Sequence, residues 1–350
     1  MSPLLDVRDL EVAFFTKDGV VRAVNRISYS LDGGDTLALV GESGCGKTVS
    51  VLAMLRLLPE PPARIMGGQV LFEGRDLLAL KPGQMHTVRG REIAVIFQDP
   101  MTSLNPVTPI GDQIAEAMQV NLGLSHRPAL ARAAELLGRV GIANPEGQLR
   151  RYPHEFSGGM RQRVMIAMAI SCHPKLLIAD EPTTALDVTI QAQIVDLVKE
   201  LQAELGMAMI WITHDLGVVA RLARRVNVMY AGHIVESGPI RRIFARPLHP
   251  YTVGLLGSVP GADLSADQDL AYIEGAPPDM VRMPPGCPFW PRCTRRIERC
   301  AVERPELTSC AATPAGGAND AVACWVANGR QLTGEDLVPD GAATSGSQRG

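Results

Sequence analysis

Eight residues, Gly41-Glu42-Ser43-Gly44-Cys45-Gly46-Lys47-Thr48, constrain this chain more than any other stretch. They read G-x-x-x-x-G-K-[ST], a loop whose glycines let several backbone N–H groups face one anion. Leu37, Ala38, Leu39 and Val40 lead into it as a buried strand, and Val51, Leu52, Met54, Leu55 and Leu58 leave it at helical spacing. Strand, glycine loop and helix in that order are the context that gives the motif its meaning. The helix amino terminus adds partial positive charge. Lys47 is then placed for the terminal phosphates of a nucleotide, and the Thr48 hydroxyl for Mg²⁺.

The other apolar runs supply the rest of an α/β fold. Residues 4–40 alternate as β-strands, with turns at Asp18-Gly19 and at Asp32-Gly33-Gly34-Asp35. Gly67 to Phe72 reads as another strand, turning at Glu73-Gly74. Ile93 to Phe97, Leu176 to Ala179 and Ala208 to Ile212 have the length and composition of buried strands. Val226 to Tyr230 and His233 to Glu236 form a final hairpin through Ala231-Gly232. Residues 99–156 change to helical periodicity, at 110–122 and 129–140, and read as an insertion with an exposed face for a partner. A long helix is expected at 189–205.

Polar residues at the ends of the buried strands carry the chemistry. Ligands of an open α/β sheet lie beyond the carboxyl ends of its strands. Gln98 ends one strand and can meet Mg²⁺ or an attacking water from the side. Asp180 and Glu181 end another, with different tasks: Asp180 holds Mg²⁺ opposite Thr48, and Glu181 accepts a proton from water as its base. His214 follows a third strand, where it can contact the γ-phosphate and the water near Glu181. Phe14 or Phe15, closing the first strand, stacks on a base or fills the core of the small sheet. Ser157 is a helix N-cap, and Gly158 and Gly159 expose a second set of N–H groups for phosphate.

Taken together, Gly41 to Thr48, Gln98, Ser157-Gly158-Gly159, Asp180-Glu181, Ala185-Leu186-Asp187 and His214 resemble the ATP-binding-cassette ATPases, in order and spacing over residues 1–255. The phrases Phe97-Gln98-Asp99-Pro100-Met101-Thr102-Ser103-Leu104-Asn105-Pro106 and His249-Pro250-Tyr251-Thr252 are similar to the ATPase subunits of oligopeptide and dipeptide importers. The resemblance implies a P-loop NTPase core, mainly parallel sheet with flanking helices, plus an antiparallel β subdomain, a helical insertion and a small Cys-rich C-terminal region. It implies that Phe14 stacks on adenine, and that Gly41, Glu42, Ser43, Gly44, Cys45, Gly46, Lys47, Thr48 and Val49 bind ATP. Ser157, Gly158, Gly159 and Met160 then close the site of a partner cassette. Thr48, Gln98 and Asp180 serve Mg²⁺, and Glu181, His214 and Gln98 serve catalysis. Met160 departs from the general signature, which ends in Gln; Gln162 comes two residues later. The implied partners are a second cassette chain of a different kind, two transmembrane permease subunits and an extracytoplasmic peptide-binding protein. The implied place is the cytoplasmic face of the inner membrane.

Composition agrees with that picture. The 350 residues have room for two domains, and 46 % hydrophobic with 20 % charged content is ordinary for a globular chain. A net charge of −3 gives no sign of a nucleic-acid partner. No apolar run approaches the roughly 18 residues of a membrane span. Asp6, Arg8, Asp9 and Glu11 interrupt any signal-peptide core. The expected division is a nucleotide-binding domain at 1–257 with its helical part at about 99–172, a C-terminal region at 258–328, and a disordered tail at 329–350.

Five of the seven cysteines crowd into that C-terminal region, and a reducing compartment argues against a disulfide framework. Cys287, Cys293, Cys300, Cys310 and Cys324 are spaced x5, x6, x9 and x13. Those spacings match no ferredoxin pattern and no x2–x4 zinc pairing, so zinc, an iron–sulfur cluster and free thiols all stand. The resemblance to peptide-importer ATPases selects a [4Fe–4S] cluster on Cys287, Cys293, Cys300 and Cys324, with zinc as the alternative metal and Cys310 as the alternative fourth ligand.

Overall fold

The structure, a computed structural model, describes residues 2–184, 186–258, 273–310 and 320–328. Residues 259–272 of the 258–286 linker, Ala185 and the 329–350 tail lie outside those residues. Contacts divide the chain into two units, one of residues 1–234 with 279–283, the other of 235–278 with 284–350.

The first unit begins with β1 (Leu5–Thr16) and β2 (Gly19–Leu31), an antiparallel pair turning at Lys17-Asp18. The buried strand β3 (Thr36–Val40) follows, then α1 (Lys47–Met54), β4 (Ala63–Phe72), β5 (Arg75–Asp76), α2 (Pro82–Val88) and β6 (Ile93–Ile96). The helical insertion comprises α3 (Pro100–Ser103), α4 (Ile110–Leu122), α5 (His126–Arg139) and α6 (Pro145–Gln148), and leads into α7 (Gly158–Ile170). The core resumes with β7 (Leu176–Asp180), α8 (Val188–Leu205), β8 (Ala208–Thr213), α9 (Leu216–Leu222) and β9 (Arg225–Tyr230). Ala231 and Gly232, both at positive φ (47° and 80°), turn the chain into β10 (His233–Pro239).

Two sheets organise this unit. One is antiparallel in the order β2-β1-β4-β5; the other runs β9-β3-β8-β7-β6, all parallel. The parallel strands are buried on both faces, so they read as continuous apolar runs rather than alternating ones. Period two divides their side chains between two cores. Leu177, Ala179, Met209 and Trp211 join the core built by α4, α5, α7 and α8. Leu176, Ile178, Ala208, Ile210 and Ile212 join the core that holds α1 and the antiparallel sheet.

Register then places the strand ends. Val40 lies beside Thr213, Asp180 beside Ile212, and Ile96 beside Ala179. The residues that leave the sheet next, Gly41, His214, Glu181 and Gln98, therefore emerge along one edge. A slip of one residue in any strand would send its polar terminus to the wrong face.

In the second unit, β10 passes into α10 (Ile240–Ala245) and α11 (Pro250–Gly257). Further on come α12 (Arg299–Val302), β11 (Thr308–Ser309), β12 (Ala321–Val322) and α13 (Trp325–Asn328). The two-residue strand β12 pairs antiparallel with β10 at Glu236↔Val322 and Ser237↔Ala321, and also pairs with β11. Glu236 is fully buried and accepts from Arg242 and from the N–H groups of Leu248 and His249 (both 2.9 Å). His249 is buried against Phe289, and its Nδ1 accepts the Tyr251 N–H at 3.0 Å, capping α11. That acceptor role requires a neutral ring, and burial lowers the His249 pKa from 6.5 to about 3.

A pKa lower in the folded than in the unfolded chain makes the unfolded chain bind the extra proton between those values. Stability of this unit therefore falls as pH drops from 6.5 toward about 3, by at most about 1.4 kcal/mol per pH unit from this group. Urea unfolding followed across that range measures the slope. His249→Asn, which keeps a capping acceptor, is expected to flatten it.

Candidate functional site

The loop after β3 is shaped by what surrounds it. A Cβ on Gly46 would stand 2.3 Å from the Ala23 carbonyl oxygen, and one on Gly41 would stand 2.2 Å from that of Met229. Gly46 also holds φ at 103°, which disfavours any side chain, and it is the N-cap of α1. The loop thus lies against backbone on both sides, with its N–H groups at a helix amino terminus. Lys47 is 4 % exposed. Its ammonium donates to the carbonyls of Gly41 (2.8 Å) and Glu42 (3.0 Å), and lies 4.0 Å from Glu181 Oε1. Cys45 is buried beneath it, 3.8 Å from Nζ, and burial pushes that thiol's pKa up.

Thr48 and Asp180 meet directly: the Thr48 hydroxyl donates to Asp180 Oδ1 at 2.9 Å. Burial raises the Asp180 pKa, the Thr48 hydrogen bond and Lys47 oppose that rise, and Glu181 adds to it. A buried carboxylate beside a hydroxyl, with a second carboxylate next in sequence, is a hard-oxygen set suited to Mg²⁺.

Glu181 leaves β7 in the left-handed region, at φ 44°, a conformation a non-glycine residue adopts at a cost. Its N–H is held by the Ile212 carbonyl at 2.9 Å. Its Oε2 accepts from Gln98 Nε2 at 3.2 Å and from the Thr184 hydroxyl at 3.0 Å, with His214 Nδ1 at 3.5 Å. The structure thus gathers Gln98, Lys47, Thr48, Asp180, Glu181 and His214 into one connected set. Thr184 is the member that the sequence reading passed over, taking Thr183 to Asp187 only as a loop. The signal was the turn former Glu181-Pro182-Thr183-Thr184, with Pro at its second position.

Other expected residues stand apart from that set. Ser157 does cap α7, accepting the Met160 N–H at 3.4 Å, and its described bonds are local to the helix start. A Cβ on Gly159 would stand 2.9 Å from Ile190 Cγ2, so the glycine is needed there for space. Phe14, expected as the stacking ring, is half-buried and packs on the core, while Phe15 is the exposed one at 47 %.

The cysteines divide as well. Cys287, Cys293, Cys300 and Cys324 line one pocket together with His249 and Phe289, and the Cys287 N–H donates to the Cys300 carbonyl at 2.8 Å. Burial, reinforced by the neighbouring thiols, raises Cys287 to about 11 and Cys293 to about 12, and raises Cys324 too. Cys310 is elsewhere, among Arg242, Glu236 and Asp320. Among the described residues no group of three or more His, Cys, Asp or Glu is arranged to hold a metal ion, and all the cysteines are free.

Comparison with known proteins agrees with this geometry. A family model described as ABC transporter matches residues 24–184, and one described as oligopeptide/dipeptide transporter, C-terminal region, matches residues 235–300. The chain is 51 % identical to a probable peptide ABC transporter ATP-binding protein of Sinorhizobium fredii, over 93 % of this chain and 95 % of that one. It is 54 % identical to the oligopeptide transport ATP-binding protein of Bacillus subtilis, over 83 % and 81 % respectively. It is 51 % identical to the dipeptide transport ATP-binding protein of the same organism, over 86 % and 89 %. Among solved structures, a dimeric ATP-binding cassette bound to ADP and Pi matches in fold with a TM-score of 0.61, covering 68 % of this chain and 99 % of that one at 22 % identity. A cassette of an ABC transporter complex from Clostridium perfringens matches with a TM-score of 0.60, covering 70 % and 92 % at 28 % identity.

Gly46→Ala puts a side chain into the Ala23 carbonyl at a positive φ. We expect it to lower stability by about 1–3 kcal/mol and to remove binding of a fluorescent ATP analogue. Calorimetry and titration measure the two.

Proposed function

The chain belongs to the ABC transporter ATPases, in the oligopeptide and dipeptide branch, and we propose that it hydrolyses ATP to power import of peptides through a membrane permease. The observation that carries the reading is the single edge at which Lys47, Thr48, Asp180, Gln98, Glu181 and His214 meet. Members of this branch work with permease subunits, and their cassettes act in pairs. Among the described residues no helix is long and apolar enough to cross a membrane.

In this reading the Gly41–Thr48 loop and Lys47 bind the β- and γ-phosphates, and Val49 extends the contact along α1. Thr48 and Asp180, already 2.9 Å apart, hold Mg²⁺ with Gln98 beside it. When bound, the ion screens the phosphate charge. Glu181 takes the proton of the attacking water, and His214 steadies the γ-phosphate and that water. Phe14, at the end of β1, supplies the face for adenine. Ser157, Gly158, Gly159 and Met160 offer their N–H groups to the nucleotide of the partner cassette. Residues 1–257 form the cassette, and 258–328 the C-terminal region. The partner cassette is a different chain, joined by two permease subunits and an extracytoplasmic peptide-binding protein, at the cytoplasmic face of the membrane.

For the C-terminal thiols we propose Cys287, Cys293, Cys300 and Cys324 as ligands of a [4Fe–4S] cluster with a structural role. Support comes from the four thiols sharing one pocket that Cys310 does not enter. Four cysteine thiolates would hold such a cluster and would tie together the segments that carry them. Iron and acid-labile sulfide in anaerobically isolated protein, lost in Cys324→Ser but kept in Cys310→Ser, is the expected result. Zinc in their place, or no metal, overturns it.

Phosphate release by the assembled transporter tests the main reading. Lys47→Ala is expected to abolish turnover. Glu181→Gln is expected to keep ATP binding, lose hydrolysis by about 100-fold or more, and accumulate the closed cassette pair. Normal turnover in Glu181→Gln would sink the assignment of the base.

A further inference from the structure

We propose that Thr184 is a positioning residue for the Glu181 carboxylate, holding Oε2 so that Oε1 is the oxygen presented to the attacking water. The proposal rests on Glu181 being the base.

The sequence Glu181-Pro182-Thr183-Thr184 closes on itself twice. The Thr184 N–H donates to the Glu181 carbonyl at 3.3 Å, and the Thr184 hydroxyl donates to Glu181 Oε2 at 3.0 Å. Pro182 at the second position fixes φ for such a turn. Pro182 and Thr183 are buried, so the turn is anchored although Thr184 itself is exposed. The hydroxyl has no capping duty to explain it. The cap of α8 is Asp187, which accepts the Ile190 N–H at 2.9 Å.

The two carboxylate oxygens of Glu181 stand in different surroundings. Oε2 takes both Gln98 Nε2 (3.2 Å) and the Thr184 hydroxyl, with His214 Nδ1 at 3.5 Å. Oε1 faces the phosphate loop, 4.0 Å from the Lys47 ammonium. A glutamate has three rotatable side-chain bonds, and a base is effective only within hydrogen-bond reach of the proton it takes. Gln98 and His214 come from other strands and also have substrate to meet. Thr184 comes from the same turn as Glu181, so its hold on Oε2 does not depend on nucleotide.

The test is ATP hydrolysis by the full-length protein assembled with its permease, comparing Thr184→Val, which keeps the shape and removes the hydroxyl, with Thr184→Ser, which keeps the hydroxyl. Loss of one hydrogen bond to a charged group is expected to lower kcat in Thr184→Val by about tenfold, with KM for ATP unchanged. Thr184→Ser is expected to recover to within about twofold of the parent. Thr184→Ala should show the same split if valine strains the turn, and unchanged melting temperature and ATP-analogue affinity mark a folded site. Parental kcat in both Thr184→Val and Thr184→Ala overturns the proposal, as does Thr184→Ser being as slow as Thr184→Val. Glu181→Gln measured alongside separates the two readings. If it turns over normally, the base is misassigned and Thr184 falls with it; if it is inactive while Thr184→Val is normal, only the role of Thr184 falls.

Discussion

Five parallel strands in fixed register hold this site together. Four of them, β3, β8, β7 and β6, end side by side, and each of those ends hands over a different group: a glycine loop, a histidine, a carboxylate pair, a glutamine. The alignment is set by the apolar side chains below. Buried on both faces, β3, β7 and β8 cannot slip without exchanging Leu177 and Ala179 for Leu176 and Ile178 between two cores of different shape. The chemistry at the edge is thus specified by packing several residues away.

Charge at that edge is arranged with equal economy. A lysine that is almost wholly buried is costly unless its protons find partners. Lys47 finds them in the carbonyls of its own loop, at 2.8 and 3.0 Å. Those bonds turn the Gly41 and Glu42 carbonyls toward the ammonium. Asp180 lies close by, and its own burial is relieved by the Thr48 hydroxyl. Positive and negative groups are each partly satisfied, which lets them stay ordered before any phosphate or cation arrives.

The strands and their polar ends were legible in the sequence because a buried parallel strand writes itself as an apolar run, and its end as the first polar residue after it. Gln98 and Asp180 are such residues, and Glu181 and His214 each follow one position later. Thr184 was not legible in that way, since a threonine in a turn has no periodicity to mark it, and only three dimensions show which oxygen its hydroxyl meets. Phe14 and Phe15 were hard to tell apart for another reason. The pairing of β1 shifts register between Val7 and Leu10, between Leu10 and Val12, and between Val12 and Ala13. Each irregularity disturbs the alternation that a count along the strand relies on. Spacing alone also could not separate Cys324 from Cys310, because Cys324 reaches the shared pocket through the long-range pairing of β12 with β10.

Residues 279–283 belong to the first unit although the described residues before them, 235–258 and 273–278, belong to the second. The polypeptide therefore changes unit three times, and no single cut separates the two. A fragment ending at 257 or thereabouts would keep every group gathered at that sheet edge yet lack a strip of its own unit, among it Val281, whose side chain packs where Gly19 has none. For genetics this means that the C-terminal region is not a detachable appendix. Recombination that transplants it between related cassettes must carry, or match, five residues that serve the other unit.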